Sequence, residues 1–199
     1  VFQLYNPYRY YMEIKEKNNK ILKLIQIGRL NFNKTAIISI EVCKILNDRG
    51  FKTKLTLVGG GRLLELLKFY THLRGIKDKV EFTGFIFNKN ILKSYLMEAD
   101  IFILPSFRET FGISYIESIS CAKPIIYSKG QGIDGYFPDG YIGFSVKSGN
   151  RWGIVSKVLK IMSNYKNISY QAINTLTMFD WTNISNQYNI VYKKIIDFQ

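Results

Sequence analysis

The chain has one histidine, His72, and two cysteines, Cys43 and Cys121, among its 199 residues. A single histidine cannot build a His-rich metal centre. The cysteines form no CxxC motif and fall in separate predicted helices, which favours free buried thiols in a reducing compartment. No apolar run approaches the roughly 20 residues of a membrane-spanning helix. The start, VFQLYNPYRYY, lacks an apolar core with a cleavage site, so no secretory signal is read there. The Asn-x-Ser/Thr sequons at Asn33, Asn167 and Asn183 therefore carry no weight. No GxxxxGK[ST] run is present, which excludes P-loop chemistry. The triple glycine Gly59–Gly61 fails as GxGxxG, because Leu64 stands where the third glycine would fall. No DxD-type carboxylate pair offers itself to a divalent cation, so metal-independent phosphate handling is expected.

What is present suits an ordinary α/β domain. Hydrophobic residues make up 47% of the chain, enough for a real core. The net charge is +13. Such a charge attracts polyanions, although an AT-biased genome also enriches Lys, Asn, Ile and Tyr. The lysines are spread out, and no basic cluster interleaved with aromatics is readable, so nucleic acid is not an expected partner. An anionic membrane surface is easier to reconcile with this pattern.

Residues 1–20 read as a linker, with Asn6-Pro7 as a turn signal. Beyond them, strands and helices alternate. Ile21–Ile27 is a short apolar run suited to a buried strand, and Ala36–Leu46 has helical apolar spacing. Lys54–Val58 reads as a strand, and Leu63, Leu66, Leu67 and Tyr70 mark a helix. Val80–Phe82 is a strand ending at Gly84, and Asn90–Ala99 a helix. Ile101–Leu104 is a strand, Phe111–Cys121 a helix and Pro124–Tyr127 a strand. Tyr141–Val146 reads as the last strand. Val155, Val158, Leu159 and Met162 define a helix, and Ile184, Tyr188, Val191, Tyr192 and Ile195 a final one. This alternation predicts right-handed βαβ units and a doubly wound, Rossmann-like parallel sheet. Ligands in such folds bind at the carboxyl ends of the strands, near the switch in strand order.

Several residues at those strand ends suit an anionic ligand. Gly28 and Arg29 follow the first strand, and Lys34 stands near the next helix start, a suitable diphosphate clamp. After Ile101–Leu104, a loop carries Glu109 and a helix opens at about Phe111-Gly112. Glu117 then falls two turns inside it. Amides at Phe111, Gly112 and Ile113 suit a phosphate, and a carboxylate at Glu117 suits the paired hydroxyls of a ribose. Equally, Glu109 is a charge favoured by a helix start, Glu117 a surface residue, and Arg29 and Lys34 solvated loop cations. Gly59–Gly61 reads as a tight turn or a place of close backbone approach.

The segment PSFRETFGISYIES, with Glu109 and Glu117 separated by seven residues, resembles the signature of the family-4 glycosyltransferases of GT-B fold. Other landmarks match in order. IGRLNFNK resembles the phosphate loop, LVGGG the glycine turn and VEFTGF the strand beside the nucleoside base. AKPIIYS and DGYIGFSV resemble later core segments. YNP looks like the interdomain linker, and WTNISNQYNIVY like the tail helix that packs across the partner domain. Ala122 stands where the family usually has glycine. Gly130-Gln131-Gly132-Ile133-Asp134 departs from the common pattern, so that loop receives no role.

The resemblance implies the C-terminal, donor-binding half of a retaining enzyme. Arg29 and Lys34 would hold the diphosphate of a nucleotide sugar, and Gly84 and Phe85 would lie by the base. Glu109, with Thr110 beside it, would meet the donor sugar. The amides at Phe111–Ile113 would hold phosphate or sugar, and Glu117 the ribose. The activity implied is transfer of a hexose-type sugar to a glycan or lipid-linked acceptor, with no metal and no cofactor beyond the donor. The acceptor domain would precede Val1, and residues 1–199 alone would bind donor without turnover. A cytoplasmic protein, or one peripheral on the inner membrane face, is expected. A non-catalytic nucleotide-sugar-binding module and a sugar-nucleotide epimerase of the same fold stay open as alternatives.

Overall fold

The structure is a computed structural model and describes residues 21–196. The linker expected over residues 1–20, with its YNP segment, lies outside the described residues. Six strands form one parallel sheet: β1 (Leu22–Ile27), β2 (Thr53–Val58), β3 (Val80–Gly84), β4 (Ile101–Leu104), β5 (Ile125–Ser128) and β6 (Gly143–Val146). Their spatial order is β3-β2-β1-β4-β5-β6. The order reverses between β1 and β4, which pair through Leu24 with Ile101 and Ile25 with Phe102. Such a reversal opens a crevice, because the connections leave in opposite directions.

The helices are α1 (Ala36–Asp48), α2 (Leu64–Leu73), α3 (Lys89–Glu98), α4 (Ile113–Ser120), α5 (Arg151–Ser163), α6 (Tyr165–Asn174) and α7 (Trp181–Ile196). They cover both sheet faces. Strand side chains alternate between faces, so Leu24, Leu55, Ile101 and Ile103 pack beneath α1, α2 and α5. Ile25, Phe102, Leu104, Ile125 and Tyr127 pack beneath α3, α4 and α6. The near-continuous apolar runs of β4 and β5 follow from burial on both faces.

The doubly wound parallel fold matches expectation, and three local features differ. The fourth helix begins at Ile113, two residues later than predicted. Gly112, its N-cap, has φ +82, and a Cβ there would collide with the Tyr115 ring. Helix α6 had no counterpart in the sequence reading. Its buried residues, Ile168, Ser169, Ala172 and Ile173, form a narrow seam in a polar segment. Finally, α7 forms as expected, yet none of its residues is buried.

Candidate donor site at the β1–β4 crevice

The loop after β1 is held from three sides. Gly28 N–H donates to the Val58 carbonyl at 2.9 Å and Leu30 N–H to that of Gly60 at 2.9 Å. At Gly59 and Gly61 a Cβ would strike the carbonyl oxygens of Gly28 and Leu30. The triple glycine therefore exists for close backbone approach, which seats the β1 loop against the β2 loop. On the buried side, Gln26 Nε2 donates to the Lys34 carbonyl at 2.8 Å, and Ser39 Oγ donates to Gln26 Oε1 at 2.6 Å. The Asn31 side chain accepts from Lys34 N–H at 3.1 Å. Thr35, left-handed at φ 48, donates its hydroxyl to the Pro105 carbonyl across the crevice.

That framework aims Lys34. Its side chain runs over Gly28, 3.9 Å from where a Cβ would stand. Its ammonium contacts Glu109 Oε2, the carboxylate on the loop after β4. The two side chains are 21% and 9% exposed, so the pair is mostly withdrawn from solvent. The β4 loop is strapped down as well, since Phe107 N–H donates to the Asn33 carbonyl at 2.7 Å. Beneath it, the Ser106 carbonyl accepts from the Ser128 and Ser148 hydroxyls, each at 2.6 Å.

Glu109 has supports that sequence reasoning missed. Its N–H donates to Gln131 Oε1 at 3.1 Å. Gly132 N–H donates to the Glu109 carbonyl at 3.3 Å, and a Cβ at Gly132 would come within 3.0 Å of Glu109 Cγ. The loop left without a role thus holds Glu109 in place. The signal available was a glycine-rich run just after β5, at the same sheet edge. Below Glu109, burial first and then its carboxylate push the Tyr115 hydroxyl up; that hydroxyl donates to the Leu104 carbonyl at 3.1 Å.

Helix α4 begins above this pair. Its first amides, Ile113 and Ser114, have no intrahelical acceptor, as at any helix start. Phe111 precedes the helix, and its ring packs against Tyr136 at 5.7 Å and Phe179 at 5.9 Å. Glu117 is the fifth helical residue, about 6 Å along the axis from Ile113 at 1.5 Å per residue. It therefore sits just over one turn inside, not two. Glu117 is half-buried, and burial raises its carboxyl above the usual range, with Lys89 opposing weakly. Such a group is poised to accept hydrogen bonds from a ligand that replaces its lost hydration.

The remaining expected residues are more open. Arg29 and Thr110 are exposed. Gly84 accepts the Gly59 N–H at 2.8 Å. The Phe85 ring lies over Gly60 and stacks at 6.2 Å with Phe87, leaving an aromatic ledge beside the β2 and β3 ends. Among the described residues no group of three or more His, Cys, Asp or Glu converges as a metal cage. His72 is exposed on α2.

A parallel sheet with a largely withdrawn Lys–Glu pair at its switch point defines a Rossmann-like domain. The model of the family "Glycosyl transferases group 1" matches residues 9–175, and the chain belongs to that family. Its fold is that of the C-terminal half of a GT-B glycosyltransferase. Among curated proteins, the amylovoran biosynthesis glycosyltransferase AmsK of Erwinia amylovora is 26% identical over 161 residues, covering 78% of this chain and 39% of that protein. A GDP-mannose-dependent phosphatidylinositol dimannoside mannosyltransferase of Mycobacterium tuberculosis is 33% identical over 106 residues, covering 53% and 27%. The chain thus spans well under half the length of the curated relatives it matches. Two solved structures share the fold. Anabaena Alr3699/HepE in complex with UDP has a TM-score of 0.77 at 19% identity, covering 94% of this chain and 52% of that one. The C-terminal domain of LpcC from Francisella tularensis has 0.71 at 20%, covering 87% and 92%.

Proposed function

We propose that this domain binds a nucleoside-diphosphate sugar in the β1–β4 crevice and is the donor half of a retaining, family-4 glycosyltransferase. The observation that carries this reading is the Lys34–Glu109 contact at the switch point, close to the first turn of α4. Lys34 is the ammonium for a diphosphate, assisted by Arg29 from the rim. Glu109 accepts hydrogen bonds from the donor sugar. The Phe111–Ile113 amides meet phosphate or sugar, with Gly28 and Gly112 leaving room for close approach and Thr110 flanking. Glu117 takes the ribose hydroxyls, and Gly84 with Phe85 borders the base.

The chemistry follows from these charges. In glycosyl transfer the anomeric C–O bond to the diphosphate breaks, the acceptor oxygen bonds to the same carbon, and the acceptor hydroxyl's proton leaves with the departing diphosphate. Retention keeps the new bond on the face of the old one. Negative charge grows on the departing diphosphate. A fixed ammonium and free helix amides stabilise that charge without reorganising, which is electrostatic catalysis. Glu109 orients the sugar rather than taking a proton. A hexose-type donor, a glycan or lipid-linked acceptor and an acceptor domain outside residues 21–196 complete the proposal. Reported relatives and structures involve GDP-mannose and UDP, so both nucleoside series belong in the test.

A thermal-shift panel of nucleoside diphosphates and their sugars tests the roles. Glu117→Ala is expected to weaken nucleotide and nucleotide sugar alike, by about tenfold or more for lost charge-assisted hydrogen bonds. Glu109→Ala is expected to weaken only the sugar-bearing ligands. Equal or negligible effects of both substitutions overturn the assignment. Binding unaffected by a chelator is expected for metal-independent phosphate handling.

A further inference from the structure

The run from Gly130 to Asp134 follows β5 and closes on itself. Gln131 N–H donates to the Ser128 carbonyl at 3.2 Å and Asp134 N–H to the Gln131 carbonyl at 3.1 Å. Gly130 N–H donates to Asp134 Oδ2 at 2.6 Å. Gly130 and Gly132, on either side of Gln131, are left-handed at φ 73 and φ 59. At Gly132 space is short as well: a Cβ would come within 3.0 Å of Glu109 Cγ and of the Phe111 carbonyl oxygen. The loop is therefore seated against the Glu109 side chain and the start of α4, and its backbone bonds fix where Gln131 stands.

The amide of Gln131 can face only one way. Glu109 N–H is a donor, so the atom that meets it at 3.1 Å must be the acceptor, Oε1. The NH2 group is then turned away from the Glu109 backbone. Among the described residues it donates to nothing, and the side chain is only half-buried, which leaves this group accessible. The Glu109 carboxylate offers only acceptors. An accepting carboxylate and a donating amide thus stand side by side at the crevice. Such a pair suits a sugar ring: one hydroxyl donates to the carboxylate, and the oxygen of a neighbouring hydroxyl accepts from the NH2 group.

We propose that Gln131 contacts the donor sugar and, with Glu109, selects hexoses that carry two free neighbouring hydroxyls. The inference rests on the reading of the β1–β4 crevice as a donor site. A group held in place before the ligand arrives loses little freedom on binding. It also discriminates, because a sugar without the matching oxygen leaves the NH2 group unpaired. A brace for Glu109 alone would need Oε1 and no donor. The two roles separate in Glu109→Ala, which removes the carboxylate and keeps the backbone N–H that Gln131 holds.

Calorimetric titration of the full chain provides the test, with UDP, GDP, UDP-glucose, UDP-galactose, UDP-N-acetylglucosamine and GDP-mannose as ligands. The proteins are the parent, Gln131→Met, Glu109→Ala and the double variant, with unaltered melting temperatures identifying them as folded. Gln131→Met is expected to weaken the sugar nucleotide that the parent binds best by about three- to tenfold, the range of one neutral hydrogen bond, and to leave UDP and GDP unchanged. The same loss is expected when Gln131→Met is added to Glu109→Ala. Single-deoxy analogues of that sugar nucleotide locate the pair. Removing one hydroxyl should cost the parent affinity and Gln131→Met nothing further, and removing its neighbour should do the same for Glu109→Ala. A loss that vanishes in the Glu109→Ala background shows a brace only and overturns the proposal. So does an equal loss for nucleoside diphosphates and their sugars, no loss at all, or a set of deoxy analogues to which Gln131→Met responds as the parent does. A parent protein that binds neither UDP nor GDP removes the crevice reading itself, and this inference with it.

Discussion

Two glutamates in this molecule are buried to different ends, and their titration separates them. At Glu41, burial alone would raise the carboxyl, but hydrogen bonds from Tyr70 and Arg74 and the charges of Arg74 and Arg151 win, so it is lowered. A carboxyl lowered on folding adds stability above its unfolded pKa of about 4.3, and that stability is lost as pH falls through the folded value. Replacing Glu41 by Gln should therefore lower the melting temperature at pH 7, with the gap to the parent closing in acid. Among the described residues Glu117 has no such hydrogen-bonding partners, and burial raises it against the opposing charge of Lys89. Its sign is opposite: the contribution is full below the unfolded pKa and lost as pH rises through the folded one. Glu117→Gln should raise the melting temperature at pH 7, with no gain near pH 4, while weakening nucleotide binding. A residue that costs stability and returns binding is what a functional site requires. Parallel pH-dependent melts of both variants check the two signs.

At the scale of elements, α4 is bounded by two left-handed residues. Gly112 opens it. At its other end Ala122 N–H donates to the Ile119 carbonyl at 2.8 Å and Lys123 N–H to that of Ser118 at 3.0 Å, a Schellman closure. Ala122 sits at φ 54 and is fully buried, in a position that favours glycine. Ala122→Gly should change stability by less than about 1 kcal/mol, because relief of left-handed strain offsets the lost methyl contact and the looser unfolded chain. Ala122→Val should cost about 2–3 kcal/mol, since a branched residue fits neither the backbone nor the space. Chemical denaturation of both variants measures this. The strand runs and most helices were legible because burial on one or two faces stamps a period on the sequence. Helix α6 was not: a polar segment with a thin apolar seam looks like a loop until its neighbour is known. Helix α2 misled in the opposite sense. Leu66 counted toward a core-facing helix, yet it faces outward, because spacing locates a face without saying what covers it.

For the whole molecule, the strand order explains why residues far apart in sequence converge. Lys34 and Glu109 are 75 positions apart, yet β1 and β4 are neighbours at the switch point. The sequence supplied both residues and their surrounding motifs. Their pairing left no trace in one chain, and neither did the clamp of Gln131 and Gly132 on Glu109. That convergence makes the crevice a donor site in our account, and its central claim is that Lys34 meets a diphosphate there. Calorimetric titration of a nucleoside diphosphate and of its parent nucleoside, into the parent protein and Lys34→Ala, tests this claim directly. The account predicts about a 10- to 100-fold loss of affinity for the diphosphate, the range of one hydrogen bond to a charged group, with the nucleoside unaffected. Equal affinities of both proteins for the diphosphate, or equal losses for both ligands, would contradict it.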